Sequence, residues 1–312
     1  MKAARLALVS LAGAALLIAS PASALAQPSS SHLGTAVHSL TNVDGASDHW
    51  TSQRMKDAKL LDVSLEGKDL SAKVKVGAQH DVDPTLADSG GDPWSGGGDV
   101  VHTSGRVFFT FQGKDAACSG DAVTSTNGST VLTAGHCVKY QGTWHTNWVF
   151  VPGYDNGQAP YGKWSASKTL TTPQWEADED ENYDVGAAVV SPLDGKKLTD
   201  TVGGQGLSFN GEYNQNMYAF GFPAEDPYDG EKLIYCAGQT TQDVLLTHDH
   251  GLSCDMTGGS SGGPWFVDFD ESTGAGKQAS VNSFGYTFLP GVMYGPYFGD
   301  DVQNLYNTAQ GT

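Results

Sequence analysis

Short apolar runs separated by turn residues fill the last two thirds of this chain. Seven runs are rich in β-branched and aromatic residues: RVFFTF (106–111), STVLTAG (129–135), WVFVPG (148–153), VGAAVV (185–190), MYAFGF (217–222), PWFVDF (264–269) and ASVNSFGY (279–286). Runs of this composition, bounded by glycine, proline, asparagine or aspartate, are typical of strands. Their close spacing predicts an all-β sandwich or barrel.

The end of the chain has a helical period instead. In DDVQNLYNTA (300–309), apolar residues recur at Val302, Leu305 and Tyr306. This spacing predicts a helix, with an aspartate at its start as the candidate N-cap.

The first 26 residues have the pattern of an export signal. Lys2 and Arg5 precede an apolar run that ends at Ala24-Leu25-Ala26. We therefore predict a secretory signal peptide (1–26), cut before Gln27. A membrane anchor is disfavoured because the run is short and ends in small residues. The pattern predicts a secreted protein with no membrane partner.

Residues 27–103 differ in composition from the β-rich region that follows them. They are polar and contain no cysteine, the stretch 62–82 alternates weakly as a strand or two would, and DSGGDPWSGGGD (88–99) is typical of a flexible linker. We predict a pro-segment with a Gly-rich linker (27–103), removed by cleavage between residues 88 and 105, and one domain from 104 to 312. The alternative is a disordered extension that stays attached.

Charge and cysteine content restrict the possible partners. The chain has 35 acidic and 17 basic residues, a net charge of −18, which disfavours nucleic-acid partners. Four cysteines in an oxidising compartment, Cys118, Cys137, Cys236 and Cys254, predict two disulfides with three possible connectivities. Nearest-neighbour pairing, 118–137 and 236–254, would close loops of similar size.

Two stretches are candidate cation sites, namely His248-Asp249-His250 and DEDEN (178–182). The first is better interpreted as an exposed loop. The second lacks the spaced pattern of a calcium loop, and a solvated turn explains it. No CxxC pair is present, which disfavours zinc. We predict no metal and no other cofactor.

Three separated stretches carry the residue types that nucleophilic acyl transfer needs: STVLTAGHCV (129–138), ENYDVGAAVV (181–190) and TGGSSGGPWF (257–266). The first delivers His136 from an apolar strand, the second places Asp184 before a strand, and the third places Ser261 among four glycines. A serine needs a base to become nucleophilic, an imidazole suits that role near neutral pH, and a carboxylate fixes the imidazole's tautomer.

Together these stretches resemble the three signatures of the chymotrypsin-like serine endopeptidases, in the family's chain order and over about residues 104–312. The resemblance implies two six-stranded antiparallel β-barrels with the active site between them, and a C-terminal helix. It implies a serine endopeptidase that cuts polypeptides through a Ser-His-Asp triad and an acyl-enzyme. We expect it to act as a monomer.

The serine stretch also indicates which hydroxyl acts and which branch of the family is nearest. The pattern Gly-x-Ser-Gly-Gly-Pro aligns Ser261 with the nucleophile, and the amides of Gly259 and Ser261 with an oxyanion hole. Ser260 stands where animal members have an aspartate. The chain therefore resembles the bacterial secreted branch that includes the glutamyl endopeptidases.

The resemblance points to the specificity residues less sharply. Asp255, six residues before the nucleophile, would line the base of the primary pocket and attract Lys or Arg, and a hydrogen-bonded turn explains it equally well. Ser283, Phe284 and Gly285 match the segment to which an extended substrate adds as a strand. Asn282 replaces the histidine of glutamyl endopeptidases, so a preference for acidic residues loses support.

Two rival functions stay open: a catalytically inactive binding protein on the same fold, and an esterase. The fold does not fix the function, although the presence of His136, Asp184 and Ser261 disfavours an inactive protein. Residues 259–263 also fit the esterase pattern GxSxG, but a strand follows them instead of a helix.

Overall fold

The computed structural model describes residues 34–61, 63–65, 77–78, 80–82, 97–256 and 258–312. The predicted signal peptide and most of the predicted linker lie outside these residues. None of the helices in the described ranges is both long enough and apolar enough to cross a bilayer.

Strands dominate the described chain. The strands are β1 (Ala36–Ser39), β2 (Lys59–Leu60), β3 (Val63–Leu65), β4 (His80–Val82), β5 (Ser104–Phe111), β6 (Lys114–Ala122), β7 (Thr130–Thr133), β8 (Lys139–Tyr140), β9 (Thr143–Trp144), β10 (Thr146–Pro152), β11 (Trp164–Thr171), β12 (Gly186–Val190), β13 (Gly206–Phe209), β14 (Asn216–Gly221), β15 (Ile234–Gln239), β16 (Thr241–Gln242), β17 (His250–Ser253), β18 (Pro264–Asp270), β19 (Ala275–Val281), β20 (Phe284–Tyr286) and β21 (Leu289–Gly295). The helices are α1 (Val43–His49), α2 (Ser52–Asp57), α3 (Asp99–Thr103), α4 (Pro173–Asp178), α5 (Leu198–Val202), α6 (Asp300–Gln310) and the 3-10 helices Gly135–Cys137 and Glu181–Tyr183. Each of the seven predicted runs overlaps a strand.

Six strands close into the first barrel in the order β10-β5-β6-β7-β12-β11, with β11 returning to β10. Neighbouring strands are antiparallel throughout this barrel. Alternate residues of a strand face the same side, so Val107 and Phe109 of β5 enter the barrel core with Trp148 and Phe150. Phe108, between them, faces outward and packs with Trp50.

The strands of the second barrel lie in two sheets, one containing β15-β14-β18-β19-β13 and the other β16-β17-β21-β20. Met217, Leu252, Trp265 and Met293 fill the space between them. The predicted all-β, chymotrypsin-like fold is confirmed. The second barrel differs from the predicted six-stranded antiparallel form in that its strands lie in two sheets and β13 pairs with β19 in parallel.

The predicted C-terminal helix is confirmed as α6, and its apolar face is buried as the spacing implied. Val302, Leu305 and Tyr306 all pack into the core. The predicted aspartate cap is wrong, because the N-cap is Gly299 and the two aspartates lie in the first turn of the helix. Their charge still suits the N-terminal end of the helix dipole.

Both disulfides join cysteines that are nearest neighbours in the chain, which is one of the three connectivities that the sequence allowed. Cys118 bonds to Cys137 within the first barrel, and Cys236 bonds to Cys254 within the second. The first of these disulfides joins β6 to the 3-10 helix that carries His136.

The described N-terminal segment is folded onto the first barrel, which contradicts a disordered extension. β1 adds antiparallel to β11. The Trp50 side chain is fully buried, and its indole N–H donates to the carbonyl of Asn147 at 2.6 Å. Lys163 donates to the carbonyls of Ser47 and Trp50. Two short strands, β3 and β4, lie within 62–82, as the weak alternation predicted.

Asp121 gives the fold a measurable dependence on pH. Its side chain is fully buried at the end of β6 and accepts a hydrogen bond from the Ser104 hydroxyl at 3.0 Å. Burial raises the pKa of this carboxyl from 3.8 to about 8. Between these values the native chain holds a proton that the unfolded chain has lost, so the free energy of unfolding falls as pH rises.

We expect Asp121→Asn to remove this contribution, which is about 1.4 kcal/mol per pH unit at most. Urea denaturation of the variant should then depend less on pH than that of the wild type between the two pKa values, 3.8 and about 8. Identical pH dependence in the two proteins would contradict a protonated Asp121 in the native state.

Candidate active site

The pairing of β7 with β12 brings His136 to Asp184. The two strands are antiparallel with Thr133 opposite Gly186, so the residues after β7 and before β12 meet at one edge of the barrel. Nδ1 of His136 lies 2.7 Å from Oδ2 of Asp184, and the backbone N–H of His136 donates to Oδ1 at 2.7 Å. Because a carboxylate only accepts, Nδ1 carries the proton and Nε2 of the neutral ring is free to accept one.

A third hydrogen bond reaches Asp184 from the second barrel. The Ser283 hydroxyl donates to Oδ2 of Asp184 at 2.5 Å. Asp184 and His136 are both fully buried, where a carboxylate without such donors would be strongly unfavourable. The carboxylate therefore ties one residue from each barrel to the site.

Two aromatic rings lie near the imidazole of His136. The rings of Trp175 and Tyr140 lie 6.3 and 6.4 Å from the imidazole. Nε2 of His136 is buried and has no hydrogen-bond partner among the described residues. This nitrogen is therefore available to a group that enters the site.

His145, which the sequence analysis did not single out, supports the backbone of His136. Its ring stacks on Phe109 with centroids 4.2 Å apart, and its Nε2 lies 2.8 Å from the carbonyl oxygen of His136. Burial lowers the pKa of His145 to about 3, so it is neutral at physiological pH and Nε2–H donates. Nothing in the stretch TWHTN (143–147) distinguishes such a histidine from an exposed one.

The serine loop of the second barrel is pressed against the first barrel. The backbone N–H of Ser119 donates to the carbonyl of Ser261 at 2.7 Å. Gly262 has φ +81°, and a Cβ there would overlap Thr133 Oγ1 and the Ser119 carbonyl. Glycine is therefore required at position 262 for two reasons: its positive φ and the close approach of these atoms. Ser261 is 3% exposed. In the part of the chain that the structure describes, its hydroxyl makes no hydrogen bond to His136.

Two backbone N–H groups of this loop are available for a ligand. Gly259 has φ +94°, and its carbonyl accepts a hydrogen bond from the Ser119 hydroxyl at 2.9 Å. The amides of Gly259 and Ser261 donate to none of the residues that the structure describes. These are the two groups that the sequence assigned to an oxyanion hole.

Asn282 holds the serine loop in place through hydrogen bonds, a role that the sequence analysis missed. Its side-chain amide donates to the carbonyls of Ser260 and Phe220, at 2.9 and 2.8 Å, and its Oδ1 accepts from the Trp265 indole at 2.6 Å. Its backbone carbonyl accepts from the N–H of Gly262. A buried asparagine with all these partners is fully satisfied.

A cavity of about 360 Å³ opens beside Ser261, lined among others by Met256, Val292 and Met293. Asp255 also lines it, but the exposed Asp255 side chain accepts a hydrogen bond from the Tyr228 hydroxyl at 2.8 Å. Asp255 thus belongs to the cavity wall, and its hydrogen bond is to a residue far away in the chain rather than within a local turn. It does not lie at a buried base.

The predicted strand-addition segment lies on β20 at the rim of this cavity. Ser283 precedes β20, and its two donors are used within the protein: the hydroxyl by Asp184 and the backbone N–H by the Tyr294 carbonyl. Phe284 is buried, whereas Gly285 is half-buried. The outer edge of β20 pairs with β3 of the N-terminal segment.

The prediction that the two candidate cation stretches are solvated holds only in part, because Asp178 is exposed while the second half of each stretch is buried. Asp249 and His250 are buried, and so are Glu181 and Asn182. Asn182 Oδ1 accepts a hydrogen bond from the backbone N–H of His248 at 2.8 Å. The two stretches therefore pack against each other beneath the site, a tertiary contact that neither local sequence reveals.

Solved structures with high similarity to the chain settle its family. Protease Anisep from Arthrobacter nicotinovorans is 44% identical, with a TM-score of 0.65, and the match covers 69% of this chain and 98% of that one. The chain belongs to the chymotrypsin-like serine proteases. A thermostable serine protease, AL20, from an extremophilic microorganism is 41% identical, with a TM-score of 0.65, over 69% of this chain and 99% of that one.

More distant relatives of this serine protease extend the picture. A Glu endopeptidase structure shares the fold at 17% identity and a TM-score of 0.54, covering 69% of this chain and 94% of that one. The extracellular metalloprotease of Bacillus subtilis (strain 168) is 27% identical over 161 residues, which are 50% of this chain and 47% of that protein. The chain thus spans about half the length of that curated relative. No family model matches the chain.

The donor set beside His136 does not fit the metal that the name of that relative implies. Among the described residues, one group of potential ligands lies within 4.8 Å, namely Cys118, His136 and Cys137. Both sulfurs are bonded to each other in a disulfide, and a coordinating cysteine must be a thiolate. His136 Nδ1 is already bonded to Asp184.

The hydrogen bonds of Asp184 predict a stability effect. We expect Asp184→Asn to lower the free energy of unfolding by about 1–3 kcal/mol, because an amide has one accepting oxygen and leaves a buried donor unpaired. Urea denaturation measures the change. Asp194→Asn is the matched control, since Asp194 is exposed with φ +51°, and its effect should stay within about 0.5 kcal/mol. Equal effects of the two substitutions would contradict the buried network.

Proposed function

We propose that this protein is a secreted serine endopeptidase in which Ser261 is the nucleophile, His136 the general base and Asp184 the carboxylate that orients it. The observation that carries this proposal is the pairing of buried Asp184 with both the backbone N–H and Nδ1 of His136. That pairing leaves Nε2 as the unprotonated nitrogen, beside a serine loop held against the same edge of the first barrel.

The proposed reaction begins when Ser261 Oγ attacks the carbonyl carbon of the scissile peptide bond and its proton passes to His136 Nε2. The carbonyl oxygen becomes an oxyanion, which accepts hydrogen bonds from the amides of Gly259 and Ser261. His136 then gives the proton to the departing amine, the C–N bond breaks, and an acyl group stays on Ser261. Water repeats the sequence and releases the acid.

Asp184 stabilises the imidazolium that forms at each step. Its two oxygens hold the ring and the backbone of His136, and Ser283 prevents the carboxylate from turning. The missing hydrogen bond between Ser261 and His136 is compatible with this scheme, because such bonds often form only in the complex with substrate.

Polypeptide substrates, export and maturation complete the proposal. The chymotrypsin-like relatives are proteases, and the Bacillus relative is described as extracellular. The signal peptide (1–26), the removal of residues 27–103 and a monomeric mature enzyme are parts of the same proposal. The acyl chemistry also applies to esters, so activity assays should contain both a peptide and an ester.

We expect Ser261→Ala to lower kcat for peptide and ester by on the order of 10⁴-fold or more, because the acyl acceptor is lost. Ser260→Ala is the matched control, since it changes a neighbouring buried serine in the same loop and keeps the Cβ. Its kcat should stay within about tenfold of the wild type. Full activity of the Ser261 variant would assign the nucleophile elsewhere.

Activity should also depend on the neutral form of the imidazole. Histidine side chains titrate near neutral pH, and only an unprotonated Nε2 can accept the serine proton. The value of kcat/KM should therefore be higher at neutral than at acidic pH, because a protonated imidazole cannot act as the base. A flat profile from acidic to neutral pH would exclude His136 as the base.

A further inference from the structure

A strand of the N-terminal segment occupies the edge at which a peptide substrate is expected to add. β3 pairs with β20, with Val63 opposite Phe284, Ser64 opposite Gly285 and Leu65 opposite Tyr286. The Val63 side chain is buried against Phe284 and Tyr286 and lines the cavity beside Ser261. Backbone pairing at a sheet edge is the contact by which strand addition binds a peptide.

The residues just before this strand reach the proposed oxyanion hole. β2 pairs in parallel with β6 through Lys59 opposite Ala116 and Leu60 opposite Ala117. The Leu60 side chain lies against Gly259, with its Cδ2 3.1 Å from the position of a Cβ on that glycine. Residues 59–61 and 63–65, named here the crossing segment, therefore lead from the first barrel past the serine loop to the edge of β20.

The direction of the crossing segment distinguishes it from a substrate. β20 follows Ser283, whose hydroxyl contacts Asp184, so β20 leads away from the catalytic residues. A substrate whose residues before the scissile bond lie on β20 must approach the serine antiparallel to that strand. The crossing segment is parallel to β20. In chain order, the residues of the crossing segment that pair with β20 follow those that pass Ser261.

The same segment is held in place by its upstream neighbours. Trp50 is fully buried on the first barrel, and Met55 of α2 is buried beside it. His49 and Arg54 both pair with Asp115 of β6, at 2.8 and 3.0 Å. An anchored segment acts at a high effective concentration, so it can outcompete a free peptide.

We propose that the crossing segment is an inhibitory strand that keeps the precursor inactive by filling the substrate edge in the reverse direction. This inference rests on the proposed function. In the precursor His136 is fully buried and Ser261 is 3% exposed, so a substrate reaches them only after the crossing segment leaves. The reversed direction keeps the segment from being cut while it is bound.

The test is the rate at which a fluorophosphonate probe labels the purified precursor, residues 27–312, without prior processing. Val63→Asp places a carboxylate in an apolar contact and should release the strand, so we expect labelling to be faster by on the order of tenfold. Val37→Asp is the matched control, because Val37 lies in β1 of the same segment and is 46% exposed. Its labelling rate should equal that of the wild-type precursor.

Two further measurements keep the outcome clear. Val63→Ala, a milder change, should give an intermediate rate if the aspartate variant does not fold, which thermal unfolding reports. Mass spectrometry of the released pro-segment should find no cut within residues 59–65. A wild-type precursor that is labelled as fast as its processed form, or a cut within 59–65, would overturn the inhibitory strand.

Different outcomes would contradict the proposed function and the proposed inhibitory role. If the processed protein neither reacts with the probe nor hydrolyses peptide, the assignment of Ser261 is wrong. If the processed protein is active and the precursor is equally active, only the inhibitory role is lost.

Discussion

The buried carboxylate of Asp184 is the constraint on which the active site depends. It accepts hydrogen bonds from the backbone and ring of His136 and from the hydroxyl of Ser283. Because the site is buried, removing any of these donors leaves the charge poorly compensated. The network therefore fixes the imidazole tautomer and at the same time joins the two barrels at the point where the chemistry is proposed to occur.

The serine loop follows from a second constraint, the close contact between barrels at Ser119. The Ser119 N–H holds the carbonyl of Ser261, and its hydroxyl both donates to the carbonyl of Gly259 and accepts from the N–H of Phe222. Asn282 holds the same loop from the other side. This setting explains Gly259, Gly262 and Gly263, because a Cβ at each of these positions would lie too close to atoms of neighbouring segments.

The N-terminal segment belongs to the same architecture. It contributes β1 to the edge of the first barrel and a buried tryptophan to its outer face, and it ends in a strand across the site. A segment that shares so many contacts with the barrels is part of the precursor fold. Its removal, as proposed, would free the edge of β20 with which β3 pairs.

Local period and residue chemistry were enough to predict the strands with strong apolar patterns and the C-terminal helix, and to propose His136, Asp184 and Ser261 as the site. They did not reveal β6, whose KDAACSGDA is small and polar, or the short helices α1 and α2. The contacts of Asn282 and His145 with the site, the bond between Asp255 and Tyr228, and the pairing of residues 63–65 with β20 are visible in the folded chain alone. Those are contacts between segments far apart in the chain, and their energy depends on burial and direction that no local pattern records.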